Sequence, residues 1–136
     1  MSERAYRYEA KTRGIRVRVE PVYLDDQSAP EEGRYVWAYH VAIENAGADV
    51  VQLRTRYWRI TDATGKVQEV RGMGVVGEQP VLKPGERFEY TSGTPLGTAS
   101  GFMEGRYGMQ TPSGEVFDVT IPAFSLDRPD EPRHLH

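Results

Sequence analysis

The stretch RYVWAYHVAIENAGADVVQLRTRYWRITD, residues 34–62, carries the pattern that decides the fold. In its first half every second residue is large and apolar, which is typical of a strand with one buried face: Tyr35, Trp37, Tyr39, Val41 and Ile43. The turn residues NAGAD follow. The second half also fits a helical stripe, but its Val, Thr, Tyr, Trp and Ile residues and its place between two turns favour a strand. We expect Trp37 to lie in the core of the fold, because large side chains fill the inner strand faces of sandwiches.

Further alternating runs lie on both sides of this stretch. GIRVRVEPVY precedes it, and KVQEV, RFEYTSGT, GFMEGRYGMQ and VFDVTIPAFSL follow, separated by turn residues at intervals of ~8–12. No segment predicts a helix. The pattern therefore predicts an all-β fold, an antiparallel sandwich or barrel of seven to eight strands. We assign the domain to residues 1–126 and interpret DRPDEPRHLH, residues 127–136, as a weakly ordered tail.

Composition excludes several functional classes. The 136 residues contain no cysteine, so disulfides, thiolate zinc sites and cysteine nucleophiles are ruled out. No run approaches the ~20 apolar residues of a membrane span, and the first residues do not resemble a secretory signal, so we expect a cytoplasmic protein without membrane insertion. The net charge of −3 argues against a nucleic-acid partner. A cluster of arginines is interpreted as a solvated strand face: Arg54, Arg56 and Arg59.

The segment RGMGVVGEQPVLKPGE, residues 71–86, holds Gly72, Gly74 and Gly77 in the spacing G-x-G-x-x-G. A dinucleotide-binding loop with this spacing opens a helix, which the prolines at positions 80 and 84 forbid. Two interpretations remain. Loop amides could cradle a pyrophosphate beside Arg71, or the glycines could allow positive φ or close backbone approach. The second is favoured for Gly72 and Gly74.

The same segment is also our candidate for a partner-binding surface. Val75 and Val76 adjoin Arg71 and Glu78, which predicts an apolar patch with charged edges on the loop of residues 71–79. The alternative is that both valines tuck inward and close one end of the fold. The predicted ligand- or partner-binding residues are Arg71, Gly72, Gly74, Val75, Val76, Gly77 and Glu78.

Catalytic and metal-binding constellations are not predicted. There is no G-x-S-x-G elbow and no plausible Ser-His-Asp set. His40 lies in a strand and is interpreted as a hydrogen-bonded structural histidine, whereas His134 and His136 could form only a weak H-x-H chelate in the tail. The paired acids at positions 25–26 and 31–32 are typical of solvated loops. We therefore predict no catalytic residue, no metal ligand and no cofactor.

The run GVVGEQPVLKPGERFEYTSGTPLGTASGFMEGRYGM resembles the signature of the ApaG family of small bacterial proteins. RVRVEPVYLDDQS, YHVAIENAG, QLRTRYWRITDATGKVQEVRG and IPAFSL occur in the same order as in the family, so the resemblance covers essentially the whole chain. It implies a fibronectin-type-III-like, immunoglobulin-like β-sandwich. It also implies a link to cobalt resistance and magnesium efflux, and use as a protein-interaction module without a firmly attached enzymatic activity.

The chain departs from the family at two positions. Family members often carry His or Gln where Arg71 stands and an acidic or other polar residue where Met73 stands, so metal coordination by this loop is less plausible here. We predict a non-enzymatic module that binds another protein and acts indirectly in cobalt and magnesium homeostasis. The alternative is a binder of pyrophosphate, nucleotide or divalent cation through the Gly72 to Gly77 loop. Exposed sheet edges make a homodimer possible.

Overall fold

The computed structural model describes residues 5–128, which form nine strands joined by turns. The strands are β1 (Tyr8–Thr12), β2 (Ile15–Tyr23), β3 (Tyr35–Asn45), β4 (Val51–Asp62), β5 (Val67–Met73), β6 (Val81–Leu82), β7 (Arg87–Leu96), β8 (Ser100–Gln110) and β9 (Val116–Asp127). Two single 3-10 turns, Asp25–Gln27 and Pro30–Glu32, lie in the connection from β2 to β3. Neither is long and apolar enough to cross a membrane, and residues 5–128 contain no other helix.

The strands form two antiparallel sheets. One has the order β1-β2-β3-β7 and the other β5-β4-β8-β9, with β6 also paired to β4. The chain changes sheet between β3 and β4, between β6 and β7, and again between β7 and β8. The predicted fibronectin-type-III-like, immunoglobulin-like sandwich is confirmed. Seven strands match the alternating runs of the sequence, while β1 and the two-residue β6 raise the number to nine.

The core lies between the inner faces of the two sheets, and its aromatic residues pack edge to face. Trp37 is 2% exposed, as expected of a core residue. Trp58 from the opposite sheet is buried as well, with its ring 5.1 Å from that of Tyr39 and 5.9 Å from that of Phe124. Such T-shaped pairs stabilise a core beyond the apolar area that they bury.

Asn45, at the end of β3, holds two turns together. Its buried side-chain amide donates hydrogen bonds to the carbonyl oxygens of Asp49 at 2.7 Å and Leu82 at 2.9 Å. Its side-chain oxygen accepts a hydrogen bond from the Gly47 amide at 2.9 Å. Asn45 therefore fixes β6 against the turn that follows β3, and with it the segment that leads into β6.

The described part of the chain ends just beyond β9. Asp127 is the last residue of that strand, and the Arg128 amide donates to the carbonyl of Ala99 at 3.2 Å. The strand thus includes one residue of the segment that we interpreted as the tail. Residues 129–136, which contain His134 and His136, lie outside the described residues.

Candidate functional site

Residues 67–82 run along one side of β4. Strand β5 pairs with residues 55–61 and β6 pairs with residues 51 and 52. A tight turn at residues 75–78 connects the two. Arg71 and Gly72 therefore lie in β5 rather than in a loop, because they continue the ladder with β4. We call residues 67–82 the β5–β6 edge.

The turn is a two-residue hairpin. Val75 and Glu78 exchange two backbone hydrogen bonds of 2.8 Å each. The two residues between them, Val76 and Gly77, have φ angles of 42° and 81°. Positive φ at both central positions is the requirement of a type I′ turn, which normally carries Asn, Asp or Gly. A β-branched residue such as Val76 at positive φ is an outlier.

The geometry of the first two glycines agrees with the interpretation that we favoured. Gly74 has a φ of +66°, and a Cβ added there would lie 2.3 Å from the carbonyl oxygen of Glu78. A Cβ on Gly72 would lie 2.8 Å from the guanidinium carbon of Arg56. Gly74 therefore requires the absence of a side chain to fold the hairpin, whereas Gly72 leaves room for the flexible side chain of Arg56.

Three amides of the hairpin already donate to backbone carbonyl groups and are not open to an anion. The Gly74 amide donates to the Arg54 carbonyl, the Val75 amide to Glu78 and the Glu78 amide to Val75. A cradle for pyrophosphate needs several adjacent N–H groups that point to the ligand. In this hairpin three of them are already used by the backbone.

The two valines face in opposite directions. Val75 is 1% exposed and belongs to the core, so the expectation that both valines are exposed is wrong for Val75. Val75 is the last residue before the turn and packs inward to close this end of the sandwich, whereas Val76 occupies the tip of the turn. Val76 is 54% exposed. The apolar patch that we predicted therefore includes Val76 but not Val75.

Exposed apolar side chains are concentrated on the β5–β6 edge. Residues 5–128 contain seven exposed large apolar side chains, and four of them lie on this edge. They are Val67 at 40%, Met73 at 63%, Val76 at 54% and Val81 at 52%. Met73 and Val76 lie three positions apart at the hairpin, and neighbouring exposed apolar side chains are more typical of an interaction site than scattered single residues.

Charged groups flank this edge on the outer face of the sheet. Tyr57 lies between two guanidinium groups, 4.7 Å from that of Arg71 and 4.2 Å from that of Arg106. Its hydroxyl donates to Glu69 at 2.6 Å. That hydrogen bond lowers the pKa of Glu69, and Arg71 and other nearby arginines lower it further. The same hydrogen bond raises the pKa of Tyr57, although Arg71 and Arg106 partly oppose that rise. Glu69 is therefore the anionic member of this cluster at neutral pH.

Arg56 is the residue that sequence reasoning placed wrongly. We interpreted it as part of a solvated strand face, but it faces the space between the sheets. The register of β4 shifts between Leu53 and Thr55, and the irregularity reverses the alternation. Counting back in twos from the buried Trp58 gives the correct face, whereas counting forward from Leu53 gives the wrong one.

Arg56 lines a cavity of about 210 Å³ between the sheets. Its lining residues are Tyr39, Arg56, Trp58, Val75, Val76, Gly77, Tyr90 and Ser92. The Tyr39 hydroxyl is hydrogen-bonded to Ser92, and the Tyr90 hydroxyl to that of Tyr107. Burial raises the pKa of all three tyrosines, and the charge of Arg56 partly opposes that rise. The tyrosines are therefore neutral hydroxyl groups at physiological pH.

The remaining candidate ligands are not brought together. His40 makes the expected hydrogen bond, with its Nδ1 atom 2.6 Å from Thr91 Oγ1. The acids at positions 25–26 and 31–32 lie in the two 3-10 turns. Within residues 5–128 no three His, Asp or Glu side chains are close enough to hold a metal ion.

Comparisons with known proteins point to one family. Residues 25–111 match the family model described as the ApaG domain. The chain is 66% identical over 129 residues to Protein ApaG of Parvibaculum lavamentivorans, covering 95% of this chain and 99% of that protein. It is 71% identical over 122 residues to Protein ApaG of Rhodospirillum centenum, covering 90% and 94%. A crystal structure of an ApaA protein from Bordetella pertussis, 46% identical, superposes with a TM-score of 0.82 over 93% of this chain and 100% of that one.

Proposed function

The chain belongs to the ApaG domain family, and from that premise we propose that it is a non-enzymatic module whose protein partner docks on the β5–β6 edge. The observation that carries the proposal is the concentration of exposed apolar side chains there, with Met73 and Val76 the most exposed of the four. An apolar centre with a polar rim is the usual anatomy of a protein interface. Arg71 and Glu69, whose side chains are 65% and 47% exposed, supply such a rim.

The position of β5 supports the same proposal. It is the outermost strand of its sheet, so one row of its backbone N–H and C=O groups has no strand partner within residues 5–128. Such an edge can pair with an extended segment of another chain, which gives affinity through the main chain and specificity through alternate side chains. Outward side chains such as Met73 would then determine which segment fits.

The strained turn is a third argument. An L-residue in the left-handed region costs about 1–2 kcal/mol, and a β-branched residue has no local hydrogen bond to offset it. Strain of this kind persists where the surrounding structure holds it, and such positions cluster at functional sites. Val76 is displayed at the tip of the hairpin at a cost to stability, and contact with a partner accounts for that cost.

The family resemblance implies a role in cobalt resistance and magnesium efflux. We place that role downstream of the protein partner, so that this chain affects cation handling indirectly. The partner would then be a protein concerned with cation handling or a regulator of one.

Affinity capture from extracts of the native cell tests this function. Bait carrying Met73→Glu and Val76→Glu should lose the partners that the wild type retains, because two charges would be desolvated at the centre of the interface. The matched control is Val22→Glu with Val116→Glu, which adds the same charge at exposed valines on β2 and β9. Sedimentation of the wild type shows whether a second copy of the chain is a partner. An edge variant that captures the same proteins as the control would rule out this surface.

A further inference from the structure

Arg56, like Arg54 two residues before it, has no carboxylate partner within residues 5–128, and it differs from Arg54 in lining the cavity between the sheets. Eight arginines within residues 5–128 form ion pairs: Arg7, Arg13, Arg16, Arg18, Arg59, Arg71, Arg87 and Arg106. Arg56 forms none within the described residues. A positive charge that is partly removed from water without a counter-ion is unfavourable, so the surroundings of Arg56 favour an anion.

The guanidinium of Arg56 has N–H donors that no protein group within residues 5–128 accepts. Its Nη1 atom donates to the carbonyl oxygens of Met73 at 3.0 Å and Gly74 at 2.8 Å. A guanidinium has five N–H donors, and no acceptor for those on Nε and Nη2 is found within residues 5–128. Those two nitrogens form the planar fork that binds a carboxylate or a phosphate through two parallel hydrogen bonds.

The fork is held in place before any ligand arrives. The two carbonyl oxygens belong to the start of the hairpin, and Gly72 leaves the space that the guanidinium occupies, since a Cβ there would approach it to 2.8 Å. A donor pair fixed in advance loses little conformational freedom on binding. The G-x-G-x-x-G spacing thus positions an arginine side chain, and not a row of amides.

The rest of the cavity suits a small oxyanion. Ser92 and the buried Tyr39 and Tyr90 bring neutral hydroxyl groups to it, and no Asp or Glu lines it. Its volume of about 210 Å³ is below the ~300–1,000 Å³ of pockets that hold larger ligands, which excludes a whole nucleotide. We propose that this cavity binds a small oxyanion, a carboxylate or a phosphate group, on the Nε and Nη2 fork of Arg56. This goes beyond the protein-binding edge, whose proposed contacts share only Val76 with the cavity.

Nuclear magnetic resonance of the ¹⁵N-labelled full chain provides the test, with sodium acetate and sodium phosphate as separate probes and sodium chloride at equal ionic strength as the reference. We expect saturable shifts of the Arg56 Nε–H signal and of the Val76 and Gly77 amides. The probe that saturates at the lower concentration distinguishes carboxylate from phosphate. Arg56→Gln should weaken binding by about tenfold or more, because charge-assisted hydrogen bonds are the strong ones. Arg59→Gln, the same change on the outer face of β4, should leave it unchanged.

Two results would overturn the proposal. The first is an Arg56 Nε–H signal that neither acetate nor phosphate shifts from its position in sodium chloride. This measurement needs no variant. The second is equal affinity in the wild type and in Arg56→Gln. If that variant is too unstable to study, Ser92→Ala takes its place, since it removes one hydroxyl and leaves the arginine; binding should weaken several-fold, and an unchanged affinity would contradict the assignment of the cavity.

Discussion

At the scale of single residues, Val76 combines exposure with an unfavourable backbone conformation. We predict that Val76→Asn raises the free energy of unfolding by about 1 kcal/mol, because Asn adopts positive φ in type I′ turns at little cost. Urea denaturation measures the change. Val116→Asn, at an exposed valine in the extended strand β9, should bring no gain. A Val76→Asn protein that is no more stable than the wild type would show that the turn is not strained.

Asn45, in contrast to Val76, is a buried polar residue that stabilises the fold through its hydrogen bonds. Asn45→Ala should lower the free energy of unfolding by about 2–4 kcal/mol, because the buried carbonyl of Leu82 and that of Asp49 would both lose a donor. Thr94→Ala is the control, since the Thr94 hydroxyl makes a single local hydrogen bond to Pro95. It should cost about 1 kcal/mol. Equal losses from the two variants in urea unfolding would argue against Asn45 as a link between turns.

Residue-level reasoning from the sequence succeeded where alternation is regular and failed where it is interrupted. Trp37 was placed correctly because β3 alternates without a break. Arg56 was misplaced because the irregularity after Leu53 reverses the faces of β4. No amino-acid pattern marks that irregularity, since it depends on how β4 pairs with β8.

At the scale of elements, the three glycines of the hairpin should differ in importance. Gly77→Ala meets no atom within 4 Å and bears only the penalty of its φ of +81°, about 1 kcal/mol. Gly74→Ala adds a clash of 2.3 Å with the Glu78 carbonyl, so its cost should be at least twice as large. Thermal unfolding of the two variants compares them directly. If the glycines served a nucleotide and not the fold, Gly74→Ala would not be less stable than Gly77→Ala. Similar melting temperatures of the two variants would therefore contradict the structural role of Gly74.

The elements themselves were predictable to different degrees. The long strands follow from two-fold alternation, as in β3. The hairpin was expected as a loop, because Gly72 and Gly74 have weak strand preference although β5 extends to Met73. Strand β6 is two residues long and leaves no local signal. Short edge elements of this kind depend on their neighbours more than on their own composition.

At the scale of the whole molecule, a buried pair of tyrosines joins the two sheets and makes stability depend on alkaline pH. Burial raises the pKa of Tyr90 and Tyr107 in the folded chain above the ordinary value of 10.0. Their contribution to stability is complete below that value and is lost as the pH rises, because the unfolded chain releases protons that the folded chain retains. The free energy of unfolding should therefore fall above about pH 10.

Urea unfolding between pH 8 and pH 11 checks this prediction. The double variant Tyr90→Phe with Tyr107→Phe should show a shallower decline than the wild type, since it lacks both buried hydroxyl groups. A wild-type free energy that stays constant through this range would contradict the assigned burial.

The order of the strands within the two sheets could not be predicted from local sequence patterns. Alternation predicts that β3 and β7 are strands, but not that they are neighbours, with Val41 opposite Tyr90. The same holds for the placing of the candidate site, because the β5–β6 edge exists only after β5 and β6 both pair with β4. Here the family resemblance supplied the sandwich that composition and periodicity left open between sandwich and barrel.

The claim that most needs testing is that a protein partner docks on the β5–β6 edge. A photo-crosslinking amino acid placed at Val76, in otherwise unchanged chain and in the native cell, tests it most directly. The account predicts a discrete crosslinked product from position 76 and none from position 116, which is comparably exposed on the other side of the same sheet. The absence of a crosslinked product from position 76, or the same products from both positions, would contradict docking on the β5–β6 edge.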